Sequence, residues 1–252
     1  MRERKEEIIV GILGQWASGK SAAARALIGH LGGESNLVFI NDAWLIAGQV
    51  VKHILELDDS KITQTIEQDG RRRLEGEQAM LWLGPGEGLD TVELRTLNFR
   101  FADDVLWDWL NQARAEIGHQ IHEHSAQGKP IVIEAGFGTN TQPIGEDPYS
   151  HTIADLFAIL EEAGVAPNRV KWIIVEAGYA KRSERNQKRQ ISVPADMFDR
   201  YAADGGDLDP AHQGRLEEQG TVIKRVRNDH DDMERFGADI LAAFEEMFEG
   251  AL

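Results

Sequence analysis

A short stretch of glycine, lysine and serine near the start of the chain constrains the fold more than any other feature. It reads GQWASGKS over residues 14–21 and fits the pattern G-x-x-x-x-G-K-[ST]. The preceding run, EIIVGIL over residues 7–13, is typical of a strand that is buried on both faces. The run that follows, SAAARALIGHL, is rich in residues that favour a helix. A strand, a glycine loop and a helix in this order predict the first unit of a parallel α/β sheet.

Four further apolar runs of strand type follow, and helical patterns separate them. They lie at residues 36–42, 129–137, 169–177 and 220–226. Strands that alternate with helices predict an α/β fold of three layers (α/β/α), in which helices cover both faces of a five-stranded parallel sheet. In such a fold ligands bind at the carboxyl edge of the sheet.

The segment between the second and third predicted strands is too long for a simple crossover. Residues 58–127 have a mostly helical pattern, with GPGEG at residues 84–88 as the clearest break. We therefore predict a helical cap, inserted between strands 2 and 3 of a core that comprises residues 1–57 and 128–252. The basic residues of the cap, in GRRRLEGE at 70–77 and at Arg95 and Arg100, are either exposed charges or groups that hold an anionic acceptor.

Composition narrows the choice of partners. The chain of 252 residues has a formal net charge of −16, which would repel nucleic acid and anionic membranes, so we expect a small-molecule partner. The absence of cysteine excludes disulfides, thiolate metal sites and a cysteine nucleophile. No targeting segment is visible and no run is long enough to span a bilayer, so we expect a cytoplasmic location. The sequence does not indicate an oligomeric state.

The glycine loop predicts a cradle for the phosphates of a nucleotide such as ATP. Successive backbone N–H groups and the positive end of the following helix dipole attract an anion. Lys20 would neutralise the β- and γ-phosphate oxygens, and the Ser21 hydroxyl would ligate Mg²⁺. The predicted contacts of the nucleotide in the loop are Gly14, Gln15, Trp16, Ala17, Ser18, Gly19, Lys20, Ser21 and Ala22. The alternative is a glycine turn that only joins the strand to the helix.

Two acidic residues end predicted strands at the same edge. Asp42 follows the second strand, where it either caps the next helix or accepts the proton of an attacking hydroxyl. Glu134 ends the third strand, where it either has a structural role or orients Mg²⁺ through water.

Arg182, Arg185 and Arg189 lie three and four residues apart and so share one face of a predicted helix. They form either a solvated face or a lid, at about residues 180–205, whose cations follow the charge that moves during phosphoryl transfer. Three guanidinium groups on one helix face repel each other unless an anion binds there, which favours the second interpretation.

Four stretches together resemble the small P-loop kinases that act on nucleosides, nucleotides and related metabolites. They are GQWASGKSAAARAL, INDAWLIAGQVV, RSERNQKR and VIKRVRNDHDDMERFGADI, and their layout is most similar to dephospho-CoA kinase. The resemblance covers residues 7–57 and 129–246. It implies that Asp42 is the base, that Arg185 and Arg189 are lid residues, and that Asn228 lies beside the adenine. Arg182 stands where that family tends to have glutamine.

The sequence therefore predicts an ATP- and Mg²⁺-dependent kinase that phosphorylates a hydroxyl of a small metabolite. The preferred triphosphate and the acceptor stay open. A P-loop NTPase that acts as a switch or regulator is the alternative, although no guanine-specificity or switch motif is recognisable. A third possibility is a nucleotide-binding scaffold without turnover.

Overall fold

The structure is a computed structural model that describes residues 7–42, 45, 62–68, 71–76, 79–86, 89–99, 103–125, 127–136, 153–188, 198–199 and 210–249. The chain divides into two units, Met1–Asp42 with Arg114–Leu252, and Ala43–Ala113. The strands are β1 (Ile9–Gly14), β2 (Val38–Asn41), β3 (Ile62–Gln68), β4 (Arg71–Gly76), β5 (Ala79–Gly86), β6 (Leu89–Phe99), β7 (Ile131–Gly136), β8 (Lys171–Glu176) and β9 (Ile223–Arg227). The helices are α1 (Lys20–His30), α2 (Asp103–Ser125), α3 (Ile153–Glu162), α4 (Tyr179–Gln187), α5 (Pro210–Glu218) and α6 (Met233–Met247).

The first unit is built on a five-stranded sheet in the order β2-β7-β1-β8-β9, and every pairing is parallel. The central strand β1 is buried along its whole length, because it pairs with β7 on one side and with β8 on the other. Its apolar run therefore has no polar alternation, as the sequence predicted. The predicted α/β fold with five parallel strands is confirmed.

Helices cover both faces of this sheet. On one face α1 and α6 pack together, and Leu27, Phe236 and Phe244 belong to the same core cluster as Val10 and Ile12 of β1. Trp172 of β8 belongs to the opposite face, where its ring meets the ring of Phe157 from α3 edge-on at 5.1 Å. The residues Ala113, Ile117 and Ile121 of α2 are fully buried and lie four residues apart, so they form one buried face of this helix.

The second unit contains a four-stranded antiparallel sheet in the order β3-β4-β5-β6. The prediction of helices is therefore wrong for residues 62–99, whereas the last part of the predicted cap is helical in α2.

Two signals for hairpins were present in the inserted segment. Each of its strands is separated from the next by two residues, and the first of these connections is Asp69-Gly70, a dipeptide that favours a tight hairpin turn. In addition, polar and apolar residues alternate over residues 91–95 of β6 (TVELR), where Leu94 stands opposite Leu83 of β5. A period of two with such turns indicates strands rather than helices.

Within the part of the chain that the structure describes, none of the helices is long and apolar enough to cross a membrane.

A glycine in the central strand gives a test of the packing between sheet and helices. A methyl group at Gly11 would overlap the indole ring of Trp172, so we expect Gly11→Ala to lower the free energy of unfolding by about 1–3 kcal/mol. The matched control is Gly29→Ala in α1, where a methyl group would meet nothing within 4 Å. We expect this second variant to be more stable than the wild type by about 0.5–1 kcal/mol. Urea unfolding measures both, and equal midpoints for the two variants would contradict the described packing.

Candidate functional site

The candidate site lies at the carboxyl ends of β1, β2 and β7. The crossover after β1 leads to β2, beyond β7, whereas the crossover after β7 leads to β8 on the other side of β1. The two connections depart in opposite directions, so a crevice forms between β1 and β7. The register places Gly14 beside Gly136, and Asn41 beside Glu134, at this edge.

The glycine loop follows β1 directly and leads into α1. A methyl group at Gly14 would lie 2.5 Å from Ser18 Oγ and 2.7 Å from the carbonyl oxygen of Val175, so only glycine fits there. Gly19 has φ of 112°, in the left-handed region, and a methyl group on it would overlap the side-chain amide of Asn228. Both glycines of the motif are therefore required by close approach within the protein itself.

An alanine also takes a left-handed conformation in this loop. Ala17 has φ of 61°, which costs a residue with a Cβ roughly 1–2 kcal/mol. Its buried methyl group packs against Phe198, which is itself 1% exposed, and Trp16 and Tyr179 pack against this pair. Phe198 thus holds the loop from its outer side. Phe198 was not predicted from the sequence, because nothing in its local pattern distinguishes it.

Hydrogen bonds also join the loop to α4 and to the residues after β9. The carbonyl oxygen of Ser18 accepts hydrogen bonds from Asn228 Nδ2 at 2.8 Å and from Arg185 Nη1 at 3.3 Å. Arg185 Nη2 also donates to Asn228 Oδ1 at 3.1 Å and to the carbonyl oxygen of His230 at 2.7 Å. Arg185 and Asn228, which the sequence analysis singled out, therefore meet at the outer side of the loop.

Of the other two arginines of the predicted lid, the structure describes only one. Arg182 is 1% exposed, and its Nε donates to the carbonyl oxygen of Ala177 at 2.8 Å, so its guanidinium lies within the protein. Arg189 lies outside the described residues. Arg182 and Arg185 do lie on one helix, as the spacing predicted.

Ser21 and Glu134, the two residues proposed from the sequence as ligands of Mg²⁺, lie within hydrogen-bond distance of each other in the crevice. Ser21 Oγ donates to Glu134 Oε1 at 2.6 Å, and Asn41 Nδ2 donates to Glu134 Oε2 at 3.2 Å. The carboxylate is 6% exposed and keeps its place through these two bonds. A hydroxyl and a carboxylate oxygen are hard ligands of the kind Mg²⁺ prefers, so the residues fit the ion. Asn41 was missed, although it directly precedes Asp42.

Asp42 and Lys20 both lie close to Gly136 at the end of β7. Asp42 Oδ2 accepts a hydrogen bond from the backbone N–H of Gly136 at 2.5 Å. A methyl group at Gly136 would lie 3.6 Å from this oxygen and 3.9 Å from Lys20 Nζ. The ammonium group itself donates to the carbonyl oxygen of Gln15 at 3.1 Å. The cation of the motif and the carboxylate thus face the same small space.

Burial dominates the electrostatics of Asp42 and raises its pKa to about 6. The Gly136 N–H, Lys20 and Arg114 lower the pKa, while the negative charge of Glu134 raises it further. Arg114 is a buried cation of α2, 4% exposed, that the sequence analysis missed. It lies three and seven residues before Ile117 and Ile121 on the buried face of α2, and a charge in such a stripe was the available signal.

Comparisons with known proteins agree at the level of the fold. A sugar kinase from Janibacter sp. HTCC2649, solved without ligand, matches with a TM-score of 0.52 and 12% identity over 95% of each chain. A thymidylate kinase from Ehrlichia chaffeensis has a TM-score of 0.45 and 12% identity, covering 95% of this chain and 98% of that one. A dephospho-CoA kinase from Campylobacter jejuni has a TM-score of 0.44 and 13% identity, covering 97% and 98%. No family model and no curated protein matches the sequence.

The raised pKa of Asp42 predicts how pH affects stability. The folded protein binds the extra proton more tightly than the unfolded chain, so Asp42 stabilises the fold below about pH 4. That contribution is lost as the pH rises through about 6. We therefore expect the free energy of unfolding of the wild type, relative to Asp42→Asn, to fall between about pH 4 and pH 7. Urea unfolding of both proteins at several pH values measures this difference, and a difference that rises over this range would contradict the described burial.

Proposed function

We propose that this chain is an ATP-dependent phosphotransferase that moves the γ-phosphate of ATP to a hydroxyl group of a small metabolite. The observation that carries the proposal is that Lys20 and Asp42 both lie close to Gly136, at the end of a phosphate-type loop. One side of this space suits a phosphate and the other suits a hydroxyl that must lose a proton. The fold shared with a sugar kinase supports the same conclusion.

Phosphate binding would come from the loop and the start of α1. The N–H groups of the loop and the positive end of the helix dipole attract the phosphate oxygens without requiring a counterion. Lys20 is then the movable charge. It would exchange its bond with the Gln15 carbonyl for the oxygens between the β- and γ-phosphates, where negative charge grows during transfer.

Asp42 would act as the base. Its Oδ2 is held by Gly136, so Oδ1 is the oxygen that would take the proton from the acceptor hydroxyl. The acceptor oxygen then bonds to the γ-phosphorus, and the bond from that phosphorus to the β-phosphate oxygen breaks. ADP leaves with the bonding electron pair. A pKa of about 6 keeps Asp42 ionised at neutral pH, yet basic enough to take a proton.

Ser21 and Glu134 would hold Mg²⁺, which supplies charge neutralisation to the phosphates when it is bound. The side-chain amide of Asn41 would keep the Glu134 carboxylate turned toward Ser21 through its hydrogen bond to Oε2.

We propose that α4 and the residues after β9 contribute to nucleotide binding. The residues concerned are the lid arginines Arg182, Arg185 and Arg189, together with Asn228. The inserted residues 58–127 are proposed to bind the acceptor, which we place among nucleosides, nucleotides and coenzyme precursors. A net charge of −16 repels polyanions, so we propose small molecules rather than nucleic acid or membrane lipids as acceptors. We also propose a cytoplasmic location.

One assay separates this proposal from its alternatives. ATP consumption is followed by a coupled assay with Mg²⁺ and a panel of nucleosides, nucleotides, sugars and coenzyme precursors. A rate that rises sharply with one class of hydroxyl compound supports the kinase. Steady hydrolysis that no acceptor changes supports a switch or regulator, and binding without turnover supports a scaffold.

Replacement of the loop lysine tests the cradle. We expect Lys20→Ala to abolish turnover while the protein remains folded, because Lys20 acts on charge that develops during transfer. The coupled assay measures the rate, and circular dichroism checks the fold. A rate near that of the wild type would exclude this loop as the active site.

Replacement of the proposed base tests the acceptor side. We expect Asp42→Asn to slow transfer by about a hundredfold or more, the usual effect of losing a general base. The matched control is Asp232→Asn, because Asp232 also accepts a backbone N–H, that of Arg235 at 2.9 Å, but caps α6. The control should keep its rate. If Asp42→Asn and Asp232→Asn have equal rates, Asp42 is not the base.

A further inference from the structure

The carbonyl oxygen of Ser18 has an unusual set of partners. It accepts two hydrogen bonds, one from Asn228 Nδ2 at 2.8 Å and one from the positively charged Arg185 at 3.3 Å. A carbonyl oxygen has two lone pairs, so both are used. Asn228 is 1% exposed, and bonds in such a dry environment are stronger than in water.

The guanidinium of Arg185 is fixed in this position. Its Nη2 donates to Asn228 Oδ1 at 3.1 Å and to the His230 carbonyl at 2.7 Å. Ser18, Asn228 and Arg185 thus form a closed triangle in which each group bonds to the other two. The charge of Arg185 is therefore applied to the peptide group between Ser18 and Gly19.

The carbonyl oxygen and the N–H of the Ser18–Gly19 peptide group point in opposite directions. The described peptide bonds are all trans, so the Gly19 N–H points away from the Ser18 carbonyl and hence away from Arg185. Among the described residues, none accepts a hydrogen bond from this N–H. Donors on a carbonyl oxygen draw electrons through the planar amide, and each bond strengthens the next in such a chain.

We propose that Arg185 serves nucleotide binding without touching the nucleotide: it polarises the Ser18–Gly19 peptide group and so makes the Gly19 N–H a stronger donor to phosphate. The inference rests on the proposed function, and it makes Arg185 a positioning residue. The ligand that this effect selects is a polyphosphate, independent of the base attached to it. Gly19 is required in the same arrangement, because any side chain there would displace Asn228.

The test compares Arg185→Gln and Arg185→Met with a matched control, Lys181→Met. Lys181 lies on the same helix and ties it to Asp231 of the same loop after β9, at 2.7 Å, without contacting Ser18. If the only role of Arg185 were to hold α4 against the loop after β9, Lys181→Met would lower the affinity for phosphate as much as the Arg185 variants do. Circular dichroism checks that each variant is folded, and Arg185→Gln, which keeps neutral donors, decides the question if Arg185→Met is unfolded.

Two measurements are made on each protein. The first is the amide proton resonance of Gly19 by nuclear magnetic resonance without nucleotide, which we expect to move upfield in both Arg185 variants and to stay in place in the control. The second is the affinity for magnesium tripolyphosphate, which has no base. We expect it to fall about tenfold in the Arg185 variants and to stay unchanged in Lys181→Met.

The outcomes are distinguishable. A wild type that binds no tripolyphosphate overturns the proposed function, and this inference with it. If the wild type binds and the Arg185 variants bind equally well, only the inference falls. It also falls if affinity drops while the Gly19 resonance stays in place, because Arg185 would then act by direct contact with the phosphates.

Discussion

The register of β1 against its two neighbours is the constraint on which the site depends. Gly14 pairs with Gly136 on one side and with Val175 on the other. Gly11 of β1 stands beside Trp172 of β8, where any side chain would overlap the indole ring, so the core excludes a slip of one residue. The same register brings Gly136 to Asp42 and Val175 to the glycine loop. The site is thus positioned by hydrophobic packing far from its own polar groups.

The parts that could be predicted from the sequence are those where one local rule decides the structure. The three central strands β1, β7 and β8 are buried on both faces, so continuous apolar runs identified them, and the glycine loop has a fixed spacing. Ser21 and Glu134 could be placed together because parallel strands end at one edge. Phe198 could not, since its partner Ala17 is distant in the chain and no periodicity links them. In the insertion the period was misread, although Asp69-Gly70 marked a hairpin.

The buried charges of the crevice lower the stability of the folded protein. Glu134 is buried, and Asp42 has a raised pKa although the charges of Lys20 and Arg114 act to lower it. Buried charges of this kind seldom stabilise a protein more than apolar side chains of the same size would. The left-handed Ala17 adds strain in the same region. Local rules are broken where a functional site is expected, while the surrounding sheet obeys them.

The electrostatics of the whole chain explain why the loop needs to be rigid. A protein of net charge −16 repels a polyphosphate at long range, so the proposed binding would depend on short-range donors that need no rearrangement. Donors that had to be ordered on binding would lose part of their free energy to that ordering. Ser18 is tied to α4 and to the residues after β9, and Ala17 is held by Phe198, so the loop is set before a ligand arrives. The exclusion of water that the proposed phosphoryl transfer would require would then come from segments other than this loop.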